Sequence, residues 1–402
     1  MPEQVVRQRS RGFICVNAHP AGCAANVERQ IAYVRERMRP DPGSRVRNAL
    51  VLGSSAGYGL ASGIVTAWGL GHRTLGLFLE RPPKGRRTAT AGYYNSVALH
   101  KAAERDGLWV RSINADAYSD EAKDRVAQLA SASMGKFDLV IYSLASPKRV
   151  NPRTGVAHSS SLRSIGSKYT GKTIDLARSR VTTATVKPAT EDEIANTVAV
   201  MGGEDWRWWI ERLLADGLLA EGARTLAYTY YGPRVTWPVY RDGTIGAAKG
   251  HLKETADALD QLLRNSVGGG AWLSVNKAVV TQASTAIPIV PLYVSLLFRV
   301  MKEQGIHEGC IEQIVRLVKD HLVSHTGPSV DADRLIRLDD LEMREDVQNA
   351  VADLWPRVNT ETLASLSDYD GFKREFSSLF GFDVEGVDYD LPVETEILLD
   401  PQ

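Results

Sequence analysis

The chain has 402 residues, of which 44% are hydrophobic and 24% are charged. Its 48 Lys and Arg residues balance 48 Asp and Glu residues, so the formal net charge is zero. This composition is typical of a globular protein and excludes a chain that is disordered over its whole length. It also argues against nucleic-acid binding through bulk positive charge. The three cysteines make no disulfide framework and indicate a reducing compartment.

The sequence shows neither an export signal nor a membrane span. Residues 1–16 carry charges but no long apolar run, so they lack the pattern of a signal peptide. The longest apolar stretch, Ala286–Phe298, is too short to cross a bilayer and contains two prolines. We therefore expect a soluble, cytoplasmic protein that does not insert into a membrane.

Apolar runs alternate with amphipathic stretches through the first 150 residues. Strands are predicted at Gly12–Val16, Asn48–Leu52, Thr74–Leu79, Leu108–Ile113 and Phe137–Leu144. Helices are predicted between them, at Ala24–Met38, Leu60–Trp68, Ala91–Glu104 and Glu121–Met134. This alternation predicts an α/β fold in which a mostly parallel sheet is covered by helices on both faces.

The pattern changes near residue 151. Residues 151–190 are rich in Ser, Thr, Lys and Arg without a clear period, and we predict that they form loop or segments that pack on another part of the protein. Thr190 and Glu193 have the spacing of a capping box before a helical stretch at 194–214, which is predicted to break at residues 201–205. Beyond it, strands are predicted at Thr225–Tyr231 and Ala271–Val280, and helices at Ile245–Leu263 and Ile289–Glu303.

One α/β domain explains this order better than two separate domains. Its Rossmann-like core is predicted at about 45–150 and 225–330, with an insertion at about 151–224. An extra strand at 10–20 precedes the core, and a partly helical, acidic tail at 331–402 follows it.

The strongest local signal is a glycine-rich turn between a strand and a helix. Gly53, Gly57 and Gly59 follow the strand Asn48–Leu52 with the spacing G-x-x-x-G-x-G. Glycines permit a tight turn and a close approach of a pyrophosphate, and the helix N-terminus offers unpaired N–H groups to it. The motif predicts a dinucleotide site.

The next strands supply further candidate contacts at their carboxyl ends. Glu80 ends the second strand of the motif, where an acidic side chain binds the ribose hydroxyls and repels a 2′-phosphate, which favours NADH over NADPH. The basic residues that follow could instead hold a phosphate, or could simply be solvated; they are Arg81, Lys84, Arg86 and Arg87. Candidate contacts at the ends of the third and fourth strands are Asp116, Ala117, Leu144 and Ala145.

The spacing G-x-x-x-G-x-G is the short-chain-reductase variant of the dinucleotide motif. A reductase of this kind needs a proton donor beside the nicotinamide, and the chain offers Tyr240 nine residues before Lys249. The residues Asp242 and Gly243 between them predict a turn that precedes the helix carrying the lysine. By pattern alone Tyr240 is more typical of a packed aromatic residue. His321 and His325 have the spacing of a zinc helix, but the glutamate of that motif and a third ligand are missing, so no metal site is predicted.

Several motifs together resemble one family, the FabV-type enoyl-acyl-carrier-protein reductases, also called trans-2-enoyl-CoA reductases. They are GSSAGYGLA at 53–61, the Tyr240/Lys249 pair, VAVMGGEDW at 198–206, AVVTQASTAIPIVPLY at 278–293 and HEGCIEQI at 307–314. The resemblance extends from residues 11–23 to residues 381–390. It implies an enlarged short-chain-reductase Rossmann fold with a helical substrate-lid insertion, acting as a monomer.

The resemblance implies NADH-dependent reduction of the trans-2,3 double bond of an enoyl thioester, carried by CoA or by acyl-carrier protein, as the last reductive step of fatty-acid elongation. It places Tyr240 as the proton donor, Lys249 on the cofactor and Tyr230 at the substrate carbonyl. The residues implied at the cofactor are Gly53, Ser54, Ser55, Ala56, Gly57, Tyr58, Leu79, Glu80, Asp116, Ala117, Leu144, Ala145, Lys249, Val279, Val280 and Thr281. Many members carry a second lysine where this chain has Gly250.

The acyl chain needs an apolar channel, for which Met201 and Ile287 are the candidate lining residues. Three tryptophans lie near Met201, but core packing is the simpler explanation for each; they are Trp206, Trp208 and Trp209. Two alternatives remain at this level. A short-chain carbonyl reductase lacks support because no Tyr-x3-Lys pair follows the fourth strand, and a non-catalytic NAD(H) sensor would not need the Tyr240/Lys249 pair.

Overall fold

The computed structural model describes residues 3–11, 14–40, 47–322 and 327–399. The strands are β1 (Ser10–Arg11), β2 (Ile14–Cys15), β3 (Asn48–Leu52), β4 (Arg73–Phe78), β5 (Val110–Asn114), β6 (Phe137–Tyr142), β7 (Lys148–Val150), β8 (Ala157–Ser159), β9 (Tyr169–Asp175), β10 (Arg180–Val186), β11 (Leu219–Thr229), β12 (Gly270–Val275) and β13 (Leu335–Arg337).

The helices are α1 (Pro20–Arg37), α2 (Gly57–Ile64), α3 (Ala91–Arg105), α4 (Asp120–Leu129), α5 (Glu191–Met201), α6 (Glu204–Ala215), α7 (Thr244–Val267), α8 (Val290–Glu303), α9 (Cys310–Leu317), α10 (Glu345–Arg357), α11 (Leu363–Leu366) and α12 (Tyr369–Ser378). Single π-helical turns continue α2, α4 and α9, at Val65–Gly69, Ala130–Met134 and Val318–Leu322. A short 3-10 turn lies at Ser284–Ala286.

Seven parallel strands form the central sheet in the order β13-β12-β11-β6-β3-β4-β5. The strand β3 lies inside the sheet, between β6 and β4, and is fully buried. Its side chains alternate: Ala49 and Val51 pack under α1, α2 and α9, whereas Leu50 and Leu52 pack under α4, α6 and α7. The chain moves from β3 to β4 and β5 and then returns to the other side of β3 with β6. Helices therefore cover both faces, as the continuous apolar strands predict.

A third apolar cluster lies around α8, beyond the sheet. This helix is buried over most of its length. The helices α10 and α12 and the β9–β10 hairpin pack against it. The N- and C-terminal segments of the described chain meet beside this cluster, where Gln4 and Val393 form an antiparallel bridge.

Most predicted core elements are confirmed to within a few residues, and the capping box is present: the Thr190 hydroxyl accepts from the Glu193 N–H and the Glu193 carboxylate accepts from the Thr190 N–H. The predicted strand at 12–16 is different, because β1 and β2 pair only with each other and the chain turns into α1 at Pro20. The extra strand at 10–20 therefore does not join the central sheet.

The segment 151–190, predicted to be loop, contains the strand β8 and the hairpin of β9 and β10. The insertion is thus part β-hairpin and part helix. The hairpin strands are Thr-rich and mostly exposed or half-buried. Because they lack a buried face, their sequence does not show the alternation of apolar and polar residues that predicts a strand. The C-terminal tail is also not purely helical, because β13 adds an edge strand to the sheet beside β12.

Two further observations concern the described residues as a whole. Among them, no helix combines the length and the apolar character needed to span a membrane. Within the same ranges, no three His, Cys, Asp or Glu side chains converge in a way that could hold a metal ion. His325 lies outside the described residues, and the His321 ring nitrogen contacts the Ser329 carbonyl oxygen.

Candidate active site

The predicted site residues converge on one edge of the sheet. All seven strands of the sheet are parallel, so their carboxyl ends lie together. The glycine turn follows β3, Glu80 follows β4, Asp116 follows β5, and Tyr230 follows β11. The chain reverses its direction across the sheet between β3 and β6, and ligands of open α/β sheets bind at such a point.

The glycine turn has the shape of a phosphate cradle. Gly53 and Gly57 have φ values of +86° and +53°, which favour glycine. A Cβ atom at Gly59 would lie 1.9 Å from the Gly53 carbonyl oxygen, so the turn closes only without a side chain there. The Ser54 hydroxyl is buried without a hydrogen-bond partner in the described structure. No side chain caps the N-terminus of α2, so its N–H groups can bind an anion. These features fit a dinucleotide pyrophosphate.

Glu80 is held in place from three directions. The Ser55 hydroxyl donates to the Glu80 carboxylate across 2.7 Å, and Asn114 bonds both the backbone N–H and the carbonyl of Glu80 at 2.9 and 2.8 Å. Asn95 donates to the Ser55 carbonyl at 3.0 Å. A Cβ at Gly92 would lie 2.0 Å from the carboxylate, so this glycine makes room for it. The carboxylate is therefore a fixed negative charge beside the turn.

The other predicted cofactor residues surround this turn unevenly. Leu79 is 68% exposed and lies directly after β4, beside Glu80. The basic residues that follow Glu80 are all exposed; they are Arg81, Lys84, Arg86 and Arg87. Ala117 is buried, and its carbonyl accepts from Trp209 at 3.0 Å, whereas Asp116 is half-buried. Leu144 lies next to Gly53, and Ala145 is exposed.

The segment after β12 lies across from the glycine turn and forms the other side of the candidate site. Val279 and Val280 are buried, and the methyl group of Thr281 would lie 3.8 Å from a Cβ at Gly57. The predicted strand at 271–280 ends at Val275 because the chain leaves the sheet there. This early end brings residues 279–281 across the mouth of the glycine turn.

Tyr240 and Lys249 lie where the turn prediction put them. Tyr240 lies in a series of turns at 234–242, before Gly243, and Lys249 lies in the second turn of α7. The Tyr240 hydroxyl has no hydrogen-bond partner among the described residues, and burial raises the pKa of Tyr240 to about 12. Lys249 forms no ion pair or hydrogen bond within the described ranges, and burial lowers its pKa to about 8.

Tyr230 lies beside Tyr240, with ring centroids 5.0 Å apart and the rings nearly perpendicular. Its hydroxyl donates to the Glu342 carboxylate at 2.9 Å. A tyrosine hydroxyl has one hydrogen, so in this structure Tyr230 has none to offer to a substrate. Tyr230 thus lies beside Tyr240 as expected, but its hydroxyl hydrogen is directed to Glu342.

Glu342 is the site residue that sequence reasoning missed. It is fully buried, and its carboxylate accepts from Tyr230, Tyr293 and the Ala278 N–H. It lies in the C-terminal tail, far along the chain from both tyrosines. No local motif surrounds it. Nothing in the sequence marks it, because Glu342 is one of five acidic residues within 339–346, a composition typical of an exposed surface.

The substrate side of the site is apolar. Met201, Tyr230 and Tyr240 are half-buried and pack against the α8 cluster, which includes Ile287. Trp206 and Trp209 belong to a different cluster, under the sheet, where both are fully buried. Trp206 donates to Thr225 at 2.9 Å. These two tryptophans are core residues and cannot line an acyl channel.

Three family models match consecutive parts of the chain. The "NAD(P)H binding domain of trans-2-enoyl-CoA reductase" matches residues 5–85, and the "Trans-2-enoyl-CoA reductase catalytic region" matches residues 87–323. The "Enoyl reductase FAD binding domain" matches residues 330–393. The first match contains the glycine turn and Glu80, and the second contains Tyr230, Tyr240 and Lys249.

The residues of the third match do not fit a flavin dinucleotide. All of 330–393 is described, and it forms β13 and the helices α10 to α12, without the strand, glycine turn and helix that bind a diphosphate. A Cβ at Gly371 would clash with Asp368, and one at Gly381 would lie 2.4 Å from the His19 carbonyl oxygen. These glycines serve packing within the fold. The segment instead supplies Glu342 to the tyrosines.

Relatives resemble the chain over its whole length. An enoyl-[acyl-carrier-protein] reductase [NADH] of Flavobacterium johnsoniae is 52% identical, covering 96% of each chain. A trans-2-enoyl-CoA reductase [NADH] of Clostridium perfringens is 50% identical, covering 97% of this chain and 99% of the relative. The crystal structure of Treponema denticola trans-2-enoyl-CoA reductase in complex with NAD superposes with a TM-score of 0.94 at 46% identity, covering 99% of this chain and 100% of that one. The chain therefore belongs to the trans-2-enoyl-CoA reductase family.

Proposed function

We propose that the protein reduces the trans-2,3 double bond of enoyl thioesters with NADH, as the last reductive step of fatty-acid elongation. One observation carries the proposal: a dinucleotide turn with a fixed acidic residue shares a sheet edge with an unpartnered tyrosine hydroxyl and an unpartnered lysine. The names of the F. johnsoniae and C. perfringens relatives support both the reaction and the cofactor.

The cofactor is assigned to the turn and to the strand ends around it. We assign the pyrophosphate to the segment Gly53 to Tyr58 and the ribose to Leu79 and Glu80. The adenine falls to Asp116 and Ala117, and the adjoining edge of the cofactor to Leu144 and Ala145. The nicotinamide falls to Val279, Val280 and Thr281. The anchored Glu80 charge disfavours a 2′-phosphate, so NADH is preferred to NADPH.

Bound NADH supplies a hydride, which adds to C3 of the enoyl thioester. The electrons of the double bond then move onto the thioester oxygen as an enolate. Tyr240 is placed to donate a hydrogen bond to that oxygen, and stabilising such a charge is commonly the largest catalytic contribution. A proton from Tyr240, direct or through water, completes the saturated product at C2. The raised pKa of Tyr240 keeps this proton in place until it is needed.

Lys249 binds the cofactor and biases the tyrosine. Below pH 8 its ammonium is charged and attracts the cofactor ribose and phosphates. Gly250, the position of the second lysine in many members, is exposed, and a side chain there would meet open space. One lysine therefore carries this role alone.

The acyl chain is assigned to the apolar cluster that Met201 and Ile287 help to form. The carrier is CoA or acyl-carrier protein. We further propose that the chain acts as a monomer in the cytoplasm and folds as one domain, with a core at about 45–150 and 225–330 and a substrate lid at about 151–224.

The decisive experiment follows absorbance at 340 nm with crotonyl-CoA, with NADH and NADPH assayed in parallel. We expect substrate-dependent oxidation that is faster with NADH. If the protein binds NADH but oxidises it neither with crotonyl-CoA nor with crotonyl-acyl-carrier protein, the proposal is contradicted and a nucleotide sensor is favoured. Reduction of a ketone in place of the enoyl thioester would indicate a carbonyl reductase.

A further inference from the structure

The buried carboxylate of Glu342 lies at the centre of a small polar cluster. Its Oε1 accepts from Tyr230 at 2.9 Å and from Tyr293 at 2.6 Å, and its Oε2 accepts from the Ala278 N–H at 2.6 Å. Gln348 donates to the Tyr293 hydroxyl at 3.1 Å and to the Glu342 carbonyl at 2.6 Å. Every hydrogen bond to the carboxylate is donated to it, which suits an ionised group.

Donors and burial act on Glu342 in opposite directions, and burial, the largest influence, leaves the pKa of this carboxyl raised, so the ionised state depends on the donated hydrogen bonds. Burial raises the pKa of Glu342, while the hydrogen bond from Tyr293 and the nearby buried Lys277 lower it. Burial, followed by the Glu342 charge, raises the pKa of Tyr230 well above its ordinary value. Tyr230 therefore stays protonated, and its single hydrogen remains on the side of Glu342.

The cluster is also joined to the cofactor turn. Ala278 follows Lys277, whose N–H donates to the Gln313 side chain at 3.1 Å. The Tyr58 hydroxyl donates to that same oxygen at 2.8 Å and lies 3.1 Å from the Lys277 carbonyl. A continuous set of hydrogen bonds thus connects the start of α2 with Tyr230. Glu342 connects Tyr230 to this set, because its carboxylate accepts both from Tyr230 and from the Ala278 N–H.

We propose that Glu342 is a positioning residue. It accepts the hydrogen bond of the Tyr230 hydroxyl and so fixes the Tyr230 ring, which orients Tyr240. Tyr240 is then the tyrosine that donates a hydrogen bond to the thioester oxygen. Tyr230 then acts through its edge-to-face contact with Tyr240 and makes no hydrogen bond to the substrate. This inference rests on the assignment of Tyr240 as the acid.

The first experiment separates contact from positioning by spectroscopy. The carbonyl stretch of crotonyl-CoA is recorded in its complex with the full-length protein and NAD⁺, which cannot reduce it. We expect Tyr240→Phe to remove the frequency shift that the protein imposes, and Tyr230→Phe to leave most of it. A loss of the shift in Tyr230→Phe equal to that in Tyr240→Phe would overturn the proposal. Retention of the shift in Tyr240→Phe would instead refute the function assigned to Tyr240.

The second experiment is a double-mutant cycle between Glu342 and Tyr230. We expect Glu342→Gln and Tyr230→Phe each to lower kcat about tenfold while KM changes less than about threefold, and the double variant to be no slower than either. Multiplying effects would overturn the proposal, since independent residues give that result. If Glu342→Gln does not fold, the kinetics of Tyr230→Phe test the proposal. A raised KM with unchanged kcat in this variant would show that Tyr230 binds the substrate directly and would overturn the proposal.

Asp339→Asn is the matched control. Asp339 is a buried carboxylate three residues before Glu342, and it pairs with Arg337 at 2.7 Å without contacting either tyrosine. We expect this variant to lose stability while keeping its kcat and its carbonyl stretch. A loss of kcat equal to that of Glu342→Gln would show that any buried charge in this segment acts alike, and the proposal would fail.

Discussion

The Ser55 hydroxyl lies 2.7 Å from the Glu80 carboxylate, which ties the turn after β3 to the end of β4. One contact therefore fixes both the glycine turn, to which we assign the pyrophosphate, and the charge that we assign to the ribose. A mobile glutamate could turn away from a 2′-phosphate. An anchored one cannot, and we expect the preference for NADH over NADPH to depend on this.

Removing the Glu80 charge should admit NADPH. We expect Glu80→Gln to raise the ratio of kcat/KM for NADPH over NADH by at least about tenfold, because about 1.4 kcal/mol of repulsion corresponds to that factor. The exposed arginines that follow can then approach the phosphate. Glu80→Asp, which keeps the charge, is the control. An equal change of the ratio in both variants would show that geometry, and not charge, sets the preference.

A methyl group at Gly59 should open the glycine turn. Its Cβ would lie 1.9 Å from the Gly53 carbonyl oxygen, so the backbone must shift. We expect Gly59→Ala to lose about 1–3 kcal/mol of unfolding free energy and to bind NADH much more weakly in a fluorescence titration. Gly250→Ala, on an open helix surface, should instead gain up to about 1 kcal/mol. Unchanged NADH affinity in Gly59→Ala would show that the turn does not hold the cofactor.

Removal of the Tyr240 hydroxyl should affect chemistry and spare binding. We expect Tyr240→Phe to lower kcat by about 10²–10⁴, the usual contribution of a general acid, with a change of less than about threefold in NADH affinity. The hydroxyl makes no bond to the described structure, so stability should hardly change. Single-turnover oxidation of NADH measures the chemical step. A normal single-turnover rate combined with lost NADH binding would contradict the assignment.

The pKa of Lys249 should set an alkaline limit on cofactor capture. Since burial lowers it to about 8, kcat/KM for NADH should fall as pH rises through 8. Lys249→Arg keeps its charge across this range and should remove the inflection. Between pH 8 and 10.5 the unfolded lysine holds a proton that the folded one has lost, so the free energy of unfolding should rise with pH there. An inflection that persists in Lys249→Arg would point to another group.

A lysine introduced at Gly250 should strengthen cofactor binding through charge alone. The position is exposed and has open space around it, so Gly250→Lys should fold normally. We expect NADH affinity to rise about threefold at low salt and to return to the original value near 1 M salt, where the Debye length is only about 3 Å. Gly250→Ala separates the helix effect from the charge. A gain that survives high salt would argue against an electrostatic cause.

The parallel core and the cofactor edge could be predicted because they rest on local patterns. The run Asn48–Leu52 is apolar on both faces, and the three glycines after it read as a turn and a helix start. The residues Asp242 and Gly243 predicted that a turn separates Tyr240 from the helix that carries Lys249. Their roles came from a resemblance and not from spacing.

The missed parts depend on contacts between distant segments. The strand β13 is three residues long, too short for a period, and is a strand only because β12 lies beside it. Glu342 acquires its role from Tyr230 and Tyr293, which approach from other elements. The hairpin of β9 and β10 alternates weakly because much of both its faces is exposed.

The bridge between Gln4 and Val393 joins positions with almost the whole chain between them. Closing so long a loop costs more conformational entropy than any local contact, so this pairing forms late in folding. The same proximity makes the protein a good subject for circular permutation. A linker that joins the two termini must keep residues 394–399, because Thr395 is buried and its carbonyl accepts from the Tyr94 hydroxyl. New ends in an exposed loop such as that at Gly155 then turn a very distant contact into a local one and should speed refolding.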